Sequence, residues 1–243
     1  MIRIGLIGSK GRMGLAFAEY AAGVTDFEVC GSIDAGDNLQ DLIEKSPDVI
    51  LDLSLGAAVA VNGPVIAEAT IPYIIGASAV PEEALGQIGM IAEQQGGRIL
   101  LVPNFSIGAT LMMHFAAVAA KYMHSPVVTE RHHDRKADAP SGTAIHTADK
   151  INDAIGEGIA IREYTEMIPG VLGGRMGDVA IHSVRGTGYL AEQAVQFSLS
   201  GETLSVEHRS IDRGGFMVGI EYAIRNISKV NGLQVGLDSI LDI

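Results

Sequence analysis

The residues of this chain whose types and spacing favour chemistry lie between positions 129 and 144. Two histidines and a lysine, His132, His133 and Lys136, occur within five residues. Histidine exchanges protons near neutral pH, and a lysine ammonium group can donate one. A Pro-Ser-Gly-Thr stretch at 140–143 follows and is typical of a helix start, where free backbone N–H groups and the threonine hydroxyl can hold a carboxylate. The segment therefore predicts proton transfer beside a bound anion.

Three other interpretations of this segment remain open. A run of charges of this kind is commonly a solvated loop. A metal site could use His132, His133 and Asp138, but their spacing matches no usual zinc pattern, so no metal is expected. A nucleic-acid surface is disfavoured, because the run has no aromatic residue and the chain carries a formal net charge of −12.

A second pattern, Gly-Ser-Lys-Gly-Arg-Met-Gly at positions 8–14, lies between an apolar strand and a helix-like run. A turn at this place in a β-α-β unit directs backbone N–H groups and a helix N-terminus at a phosphate. Compared with G-x-G-x-x-G, Gly11 and Gly14 match the last two glycines and Ser9 stands where the first would be. The pattern predicts dinucleotide binding, and the alternative is a tight structural turn.

Asp34 ends the second predicted strand, 20 residues beyond Gly14. A carboxylate at this position can accept hydrogen bonds from the adenosine ribose hydroxyls. Because it would repel a ribose phosphate, it favours NADH slightly over NADPH. Lys10 and Arg12 lie near the turn and keep NADPH use open.

The length and composition of the chain limit the kinds of protein it can be. The chain has 243 residues, 47% of them hydrophobic and 19% charged, which is enough for one large or two small domains with a real core. Cys30 is the single cysteine, is expected in a buried strand, and allows no internal disulfide. Residues 99–120 carry no charge, but a Pro-Asn pair at 103–104 interrupts them, so a short strand and a buried helix are predicted. The protein is expected to be cytoplasmic, with no membrane or nucleic-acid partner.

Strand and helix patterns alternate over the first half of the chain. Strands are predicted at 2–7, 27–33, 49–53, 73–75 and 98–102. This alternation predicts a parallel sheet covered on both faces. After about residue 125 the pattern changes to strands without long helices between them, at 179–185, 194–199 and 203–209. The fold class is therefore α/β, with an N-terminal Rossmann-like doubly wound parallel sheet and a C-terminal α+β domain with a mixed sheet.

The spacing E-x-H-H-x-x-K-x-D-A-P-S-G-T-A over residues 130–144 resembles the signature of the dihydrodipicolinate reductase family. The likeness extends over nearly the whole chain. It includes the turn at 8–14, the segments 102–108, 184–186 and 207–209, and Arg213 at the start of the last helix.

The resemblance implies a dinucleotide-binding domain made from both chain ends, residues 1–103 and 214–243. It also implies a substrate-binding and oligomerisation domain, residues 104–213, whose sheet builds a homotetramer. The implied reaction is the NADH- or NADPH-dependent reduction of 4-hydroxy-tetrahydrodipicolinate, a small dicarboxylate, to tetrahydrodipicolinate in diaminopimelate and lysine biosynthesis.

The resemblance also implies a role for each matching residue. His132 would be the proton donor or acceptor, Lys136 the proton donor, and His133 a substrate-binding residue. Gly142 and Thr143 would hold a substrate carboxylate. The cofactor would be lined by Gly8, Ser9, Lys10, Gly11, Arg12, Met13, Asp34, Gly76, Ala77, Ser78, Val102, Pro103, Asn104 and Phe105.

The chain departs from the family pattern at several positions. Ala77 lies in Gly-Ala-Ser-Ala, where the family usually has Gly-Thr-Thr-Gly, so a hydroxyl beside the nicotinamide is lost. Leu55 occupies a position that is often basic, and Gln193 one that is often histidine. Two other functions stay open: another Rossmann oxidoreductase acting on a different small carboxylate, and a non-catalytic NAD(P)H-sensing protein. The paired His132 and Lys136 argue against the sensor, which needs no proton donor.

Overall fold

The computed structural model describes residues 1–77, 79–155, 164–212 and 214–243. The chain divides into two compact units, one formed by Met1–Ser106 with Gly214–Ile243 and the other by Ile107–Arg213. In chain order the elements are β1 (Ile2–Ile7), α1 (Arg12–Ala22), β2 (Phe27–Ile33), α2 (Leu39–Ile43), β3 (Val49–Asp52), α3 (Gly56–Glu68), β4 (Tyr73–Ile75), α4 (Glu82–Gln95), β5 (Arg98–Leu101), α5 (Ile107–Ala120), β6 (His124–His132), α6 (Gly142–Ala154), β7 (Gly174–Met176), β8 (Val179–Arg185), β9 (Ala191–Leu199), β10 (Glu202–Ser210), α7 (Gly214–Asn226) and β11 (Gly232–Val235).

The described part of the first unit forms a six-stranded parallel sheet in the order β11-β5-β4-β3-β1-β2. Its central strands are buried throughout, and Ile4, Leu6, Ile50 and Ile74 have no exposed surface. Strands that are apolar on both sides need helices on both faces of the sheet. The predicted Rossmann-like α/β fold is confirmed.

The last helix of the chain packs within the first unit. A Cβ atom at Gly219 in α7 would lie 1.7 Å from the carbonyl oxygen of Phe105, so the helix can approach this segment only with glycine there. Arg225 near the end of α7 donates to the Asp26 carboxylate at 2.7 Å and lies over the Phe27 ring. Both chain ends therefore build one unit.

The first unit also has features that the sequence patterns did not indicate. The short helix α2 and the strand β11 were not predicted, because five and four residues carry little periodic signal. Helix α3 continues through Pro64, although proline has no N–H to donate within the helix. Cys30 is half-buried rather than fully buried, because β2 is the edge strand, and this partial burial raises the pKa of its thiol.

The described part of the second unit forms a five-stranded sheet in the order β10-β9-β6-β8-β7. Strand β6 runs parallel to β8 and antiparallel to β9, so the sheet is mixed, as predicted. Helices α5 and α6 pack on one face, where their apolar side chains meet those of the strands. Members of this core include Met112, Ala148, Val128, Val195 and Phe197.

The uncharged run at 99–120 forms β5 and then α5, as predicted. Helix α5 buries Met112 and Ala116 in the second unit's core, and its residue Ala109 is also buried. Within the described ranges, no helix combines the length and apolar character needed to span a bilayer.

Candidate active site

The glycine turn follows β1, next to the point where the strand order of the first sheet reverses. Strand β1 pairs with β2 on one side and β3 on the other, and ligands of such sheets bind at the carboxyl ends of the strands at this position. Gly8 has a φ of +83°, which favours glycine. A Cβ at Gly14 would lie 2.2 Å from the Gly8 carbonyl oxygen. The turn therefore requires both glycines.

Helix α1 begins directly after this turn, at Arg12. Its preceding residue, Gly11, has no side chain to cap the first N–H groups. Lys10 and Arg12 are exposed beside it, and Met13 is half-buried. Uncapped N–H groups with nearby cations form an anion-binding site, so this end of α1 fits a pyrophosphate.

Asp34 immediately follows β2 and contacts the turn itself. Its carboxylate accepts a hydrogen bond from Ser9 Oγ at 2.5 Å and from the Lys10 backbone N–H at 3.1 Å. Ser9, which replaces the first glycine of the usual pattern, thus ties the turn to the residue predicted to bind the ribose. The sequence indicated both residues but not this contact.

The ends of β4 and β5 supply the remaining predicted cofactor residues. A Cβ at Gly76 would lie 2.7 Å from a ring carbon of Phe105, which leaves no room for a larger residue. Ala77 is buried, and Ser78 lies outside the described residues. Val102 donates its N–H to Ile75 O at 2.8 Å.

The segment after Val102 is held by a local turn. Pro103 is exposed, and the Asn104 side chain accepts the Ser106 N–H at 2.9 Å. Together with the glycine turn and Asp34, these residues line the carboxyl edge of the first sheet. This donor set and the space that the glycines leave fit a dinucleotide.

In the second unit, His132 ends β6. Val128, Glu130 and His132 alternate onto the face of β6 that α6 covers, because successive strand residues point to opposite faces. Glu130 has 0% of its surface exposed. Its Oε2 lies 2.5 Å from His132 Nδ1. A buried carboxylate therefore holds the ring predicted to transfer a proton.

Arg185 neutralises this buried carboxylate. Its Nη1 and Nη2 donate to Glu130 Oε2 and Oε1 at 2.8 and 2.9 Å. Burial raises the pKa of Glu130, but hydrogen bonds from Arg185, Ser183 and His132 outweigh it, so the pKa lies below its usual value. Glu130 is thus a carboxylate that only accepts hydrogen bonds.

The same network reaches Lys136. Arg185 Nη2 also donates to the backbone carbonyl of Asp138 at 2.6 Å. The Asp138 carboxylate accepts from Lys136 Nζ at 2.7 Å, which lowers the pKa of Asp138. A continuous set of contacts therefore joins His132 to Lys136 through Glu130, Arg185 and Asp138.

The start of α6 is part of this arrangement. Ser141 caps the helix, with its Oγ accepting the Ala144 N–H at 3.2 Å, and its own N–H donates to Glu130 Oε1 at 3.3 Å. Gly142 and Thr143 form the first turn, with Gly142 exposed and Thr143 half-buried. The predicted carboxylate-binding helix start is therefore tied to the carboxylate that holds His132.

His133 directly follows the end of β6 and is half-buried. Its Nδ1 is shielded from solvent and has no hydrogen-bond partner among the described residues. An unpaired buried ring nitrogen is costly unless a ligand satisfies it. In the part of the chain that the structure describes, no group of three His, Cys, Asp or Glu side chains could hold a metal ion.

Comparison with known proteins gives the family. The family model for the N-terminus of dihydrodipicolinate reductase matches residues 2–105, and the model for its C-terminus matches residues 108–241. The chain belongs to the dihydrodipicolinate reductase family.

Relatives over the full chain carry the same name. A 4-hydroxy-tetrahydrodipicolinate reductase of Mycolicibacterium vanbaalenii is 36% identical over 244 residues, covering 100% of both chains. One of Nocardia farcinica is 37% identical, covering 100% of this chain and 99% of the relative. The solved dipicolinate-bound dihydrodipicolinate reductase of Paenisporosarcina sp. TG-14 superposes with a TM-score of 0.92, at 31% identity over 99% of this chain and 100% of that one.

Within this dihydrodipicolinate reductase family member, several site residues were not assigned a role from sequence. Glu130 belongs to the family motif at 130–144 and Arg185 to the segment 184–186, but neither was given a role. The spacing of Glu130 two residues before His132 on a strand is the signal that could have paired them, whereas Arg185 is 55 residues away in sequence.

Gln193, a departure from the family pattern, also takes part. It is 3% exposed, and its Nε2 donates to Thr147 Oγ1 at 2.7 Å. Thr147 Oγ1 in turn donates to the backbone carbonyl of Thr143 at 2.7 Å. Gln193 therefore supports the first turn of α6 from within the core, and its Oε1 has no partner among the described residues.

Proposed function

We propose that this protein catalyses the NAD(P)H-dependent reduction of 4-hydroxy-tetrahydrodipicolinate to tetrahydrodipicolinate, a step of diaminopimelate and lysine biosynthesis. The observation that carries the proposal is the contact set that joins His132, Lys136 and the start of α6 in one unit. Family membership over the full chain and the names of the relatives support it.

The second unit is proposed to bind and protonate the substrate. The reaction consumes a hydride and a proton and releases the hydroxyl as water. The bound nicotinamide supplies the hydride. Lys136 is the proton donor to the reduced system, and His132 donates or accepts a proton beside it. His133 and the N–H groups and hydroxyl of Gly142 and Thr143 bind the substrate, the latter two at a carboxylate.

The first unit is proposed to bind the cofactor, with preference for NADH. The pyrophosphate would be held by Gly8, Ser9, Lys10, Gly11, Arg12 and Met13. The Asp34 carboxylate would accept hydrogen bonds from the ribose hydroxyls. The residues that would line the rest of the cofactor site are Gly76, Ala77, Val102, Pro103, Asn104 and Phe105, and the sequence motif adds Ser78. Asp34 stays next to the pyrophosphate turn through Ser9 and Lys10, so its negative charge opposes a ribose phosphate.

The second unit is also proposed to build a homotetramer in the cytoplasm through the open face of its sheet. Helices α5 and α6 cover the other face. On the open face, Arg131 lies 3.5 Å from Glu207 and 3.9 Å from Glu192, and Val184 beside it is exposed. An ordered polar network with exposed apolar side chains suits an interface. A tetrameric mass in light scattering is expected, and Val184→Asp should lower it.

A coupled assay tests the activity. Freshly made product of the synthase reaction is mixed with purified protein, and oxidation of NADH and of NADPH is followed separately by absorbance. Substrate-dependent oxidation of both cofactors, faster with NADH, is expected. No oxidation with either cofactor, in a protein that binds NADH in a fluorescence titration, would favour a non-catalytic sensor. Turnover of another small oxo or imino carboxylate but not this one would favour a different reductase.

A further inference from the structure

We propose that Glu130 is the positioning residue that holds His132 as the Nδ1–H tautomer and leaves Nε2 to exchange a proton with the substrate. The role of His132 in the reaction rests on the proposed function. The tautomer itself is a property of the protein alone.

The first step of the argument is the number of donors around the carboxylate. Oε1 accepts from Arg185 Nη2 and from the Ser141 N–H, and Oε2 accepts from Arg185 Nη1. Two of these donors are guanidinium N–H groups and one is a backbone N–H, and none of them can become an acceptor. The Ser183 hydroxyl also hydrogen-bonds the carboxylate. His132 Nδ1 at Oε2 is the remaining neighbour, and the proton of its neutral ring can lie on either nitrogen.

The second step is the charge of Glu130. Burial raises the pKa of Glu130, but the pKa lies below its usual value, and the hydrogen bonds from the Arg185 guanidinium are the largest opposing cause. An ionised carboxylate has no proton to donate, so Nδ1 must carry the hydrogen of the 2.5 Å contact. The neutral ring then has Nε2 as its basic nitrogen.

The third step is that the same carboxylate fixes the helix start. Because Glu130 Oε1 also receives the Ser141 N–H, the His132 ring and the first turn of α6 are held by one buried group. The carboxylate-binding groups Gly142 and Thr143 directly follow Ser141. Glu130 therefore sets both the proton-bearing atom of His132 and its position relative to the bound substrate.

Glu130→Gln is the decisive variant because its geometry is constrained. If the amide nitrogen occupied the Oε1 position, it would face two obligate donors, Arg185 Nη2 and the Ser141 N–H. At the Oε2 position it faces one obligate donor, Arg185 Nη1, and the ring of His132, which can become an acceptor. The Ser183 hydroxyl can either donate or accept, so it does not remove this difference between the two positions. The amide is therefore expected to donate to Nδ1 and move the ring proton to Nε2, the wrong tautomer for the reaction.

The measurement is a ¹⁵N NMR spectrum of histidine-labelled protein, recorded where the imidazole is neutral, with His132→Gln used to assign the ring. The wild type should show a protonated Nδ1, and Glu130→Gln a protonated Nε2. In the assay, Glu130→Gln should lower kcat by about 100-fold or more, while the Kd for NADH changes by less than about 3-fold. Glu202→Gln, which changes an exposed carboxylate of β10, is the matched control and should alter neither.

Arg185→Lys separates the tautomer from the ion pair. It keeps a cation beside Glu130, so the Nδ1–H tautomer should persist although kcat falls. A protonated Nε2 in the wild type would overturn the proposal even if Glu130→Gln failed to fold. An unchanged tautomer or near-normal kcat in folded Glu130→Gln would also overturn it. Absence of turnover in the wild type would contradict the proposed function and leave the tautomer result standing.

Discussion

Arg185 and Asp138, 47 residues apart in sequence, are joined by a 2.6 Å hydrogen bond from the guanidinium to the backbone carbonyl. The contact fixes the loop between β6 and α6 to the end of β8. The Asp138 carboxylate binds Lys136, and the same guanidinium binds Glu130, which holds His132. This bond therefore connects the two residues proposed to transfer protons, His132 and Lys136. These contacts disfavour the alternative interpretation of this segment as a solvated loop.

Lys136→Ala should lower kcat by about 100- to 10,000-fold, because it removes the proposed proton donor. The Kd for NADH should change much less, since the residue lies in the second unit. Steady-state kinetics with fluorescence titration of NADH measure both. Lys121→Ala, at an exposed lysine after α5, is the matched control. Turnover like that of the wild type would remove Lys136 from the mechanism.

Asp34→Ala should weaken NADH binding by about 10-fold or more, because hydrogen bonds from the ribose to a charged group are lost. NADPH binding should be weakened less, because the repulsion between Asp34 and the ribose phosphate disappears at the same time. Asp34→Asn retains an acceptor for Ser9 Oγ and the Lys10 N–H but not the charge, so it should narrow the NADH preference with a smaller loss of affinity. Equal losses for both cofactors in Asp34→Ala would show that Asp34 is not at the ribose.

Gly14→Ala should disrupt the turn before α1. Its Cβ would lie 2.2 Å from the Gly8 carbonyl oxygen and 2.8 Å from Ser9 Cα, and backbone atoms at these distances must move. We expect overpacking to lower the free energy of unfolding by about 1–3 kcal/mol. We also expect NADH to bind at least about 10-fold more weakly. Thermal denaturation and fluorescence titration check both. Gly23→Ala, at the other end of α1 with its nearest contact at 3.4 Å, should keep normal NADH affinity.

Asp52→Asn should change how stability depends on pH. Burial raises the pKa of Asp52 above its ordinary 3.8, although Ser54 and Tyr73 donate hydrogen bonds to it. Between these two values the folded state binds more protons than the unfolded state, so this group's contribution to stability falls as pH rises. The variant lacks that decline, and its stability relative to wild type should improve as pH rises from below 3.8.

Urea unfolding at a series of pH values measures this difference. Glu83→Gln, at an exposed carboxylate in the first turn of α4, controls for loss of a surface charge. A constant difference between Asp52→Asn and wild type across the series would contradict the prediction.

Local sequence was enough for much of the fold. The parallel strands β1, β2 and β4 have the predicted bounds, because they are short apolar runs between turn residues. Strand β6, from His124 to His132, was not among the predicted strands. Its end carries the charged residues Glu130 and His132, and no local pattern indicates a strand there because burial of those side chains depends on partners elsewhere in the chain.

The sequence by itself determined the α/β class, the glycine turn with Asp34, and the motif that contains His132, Lys136 and the start of α6. These features follow from patterns within a few consecutive residues. Only the tertiary structure decided that Glu130 is buried between His132 and Arg185, that Asp138 connects Arg185 to Lys136, and that Gln193 supports α6 through Thr147. A buried charge is stable only when distant donors converge on it, and that convergence exists only once the strands and α6 have packed.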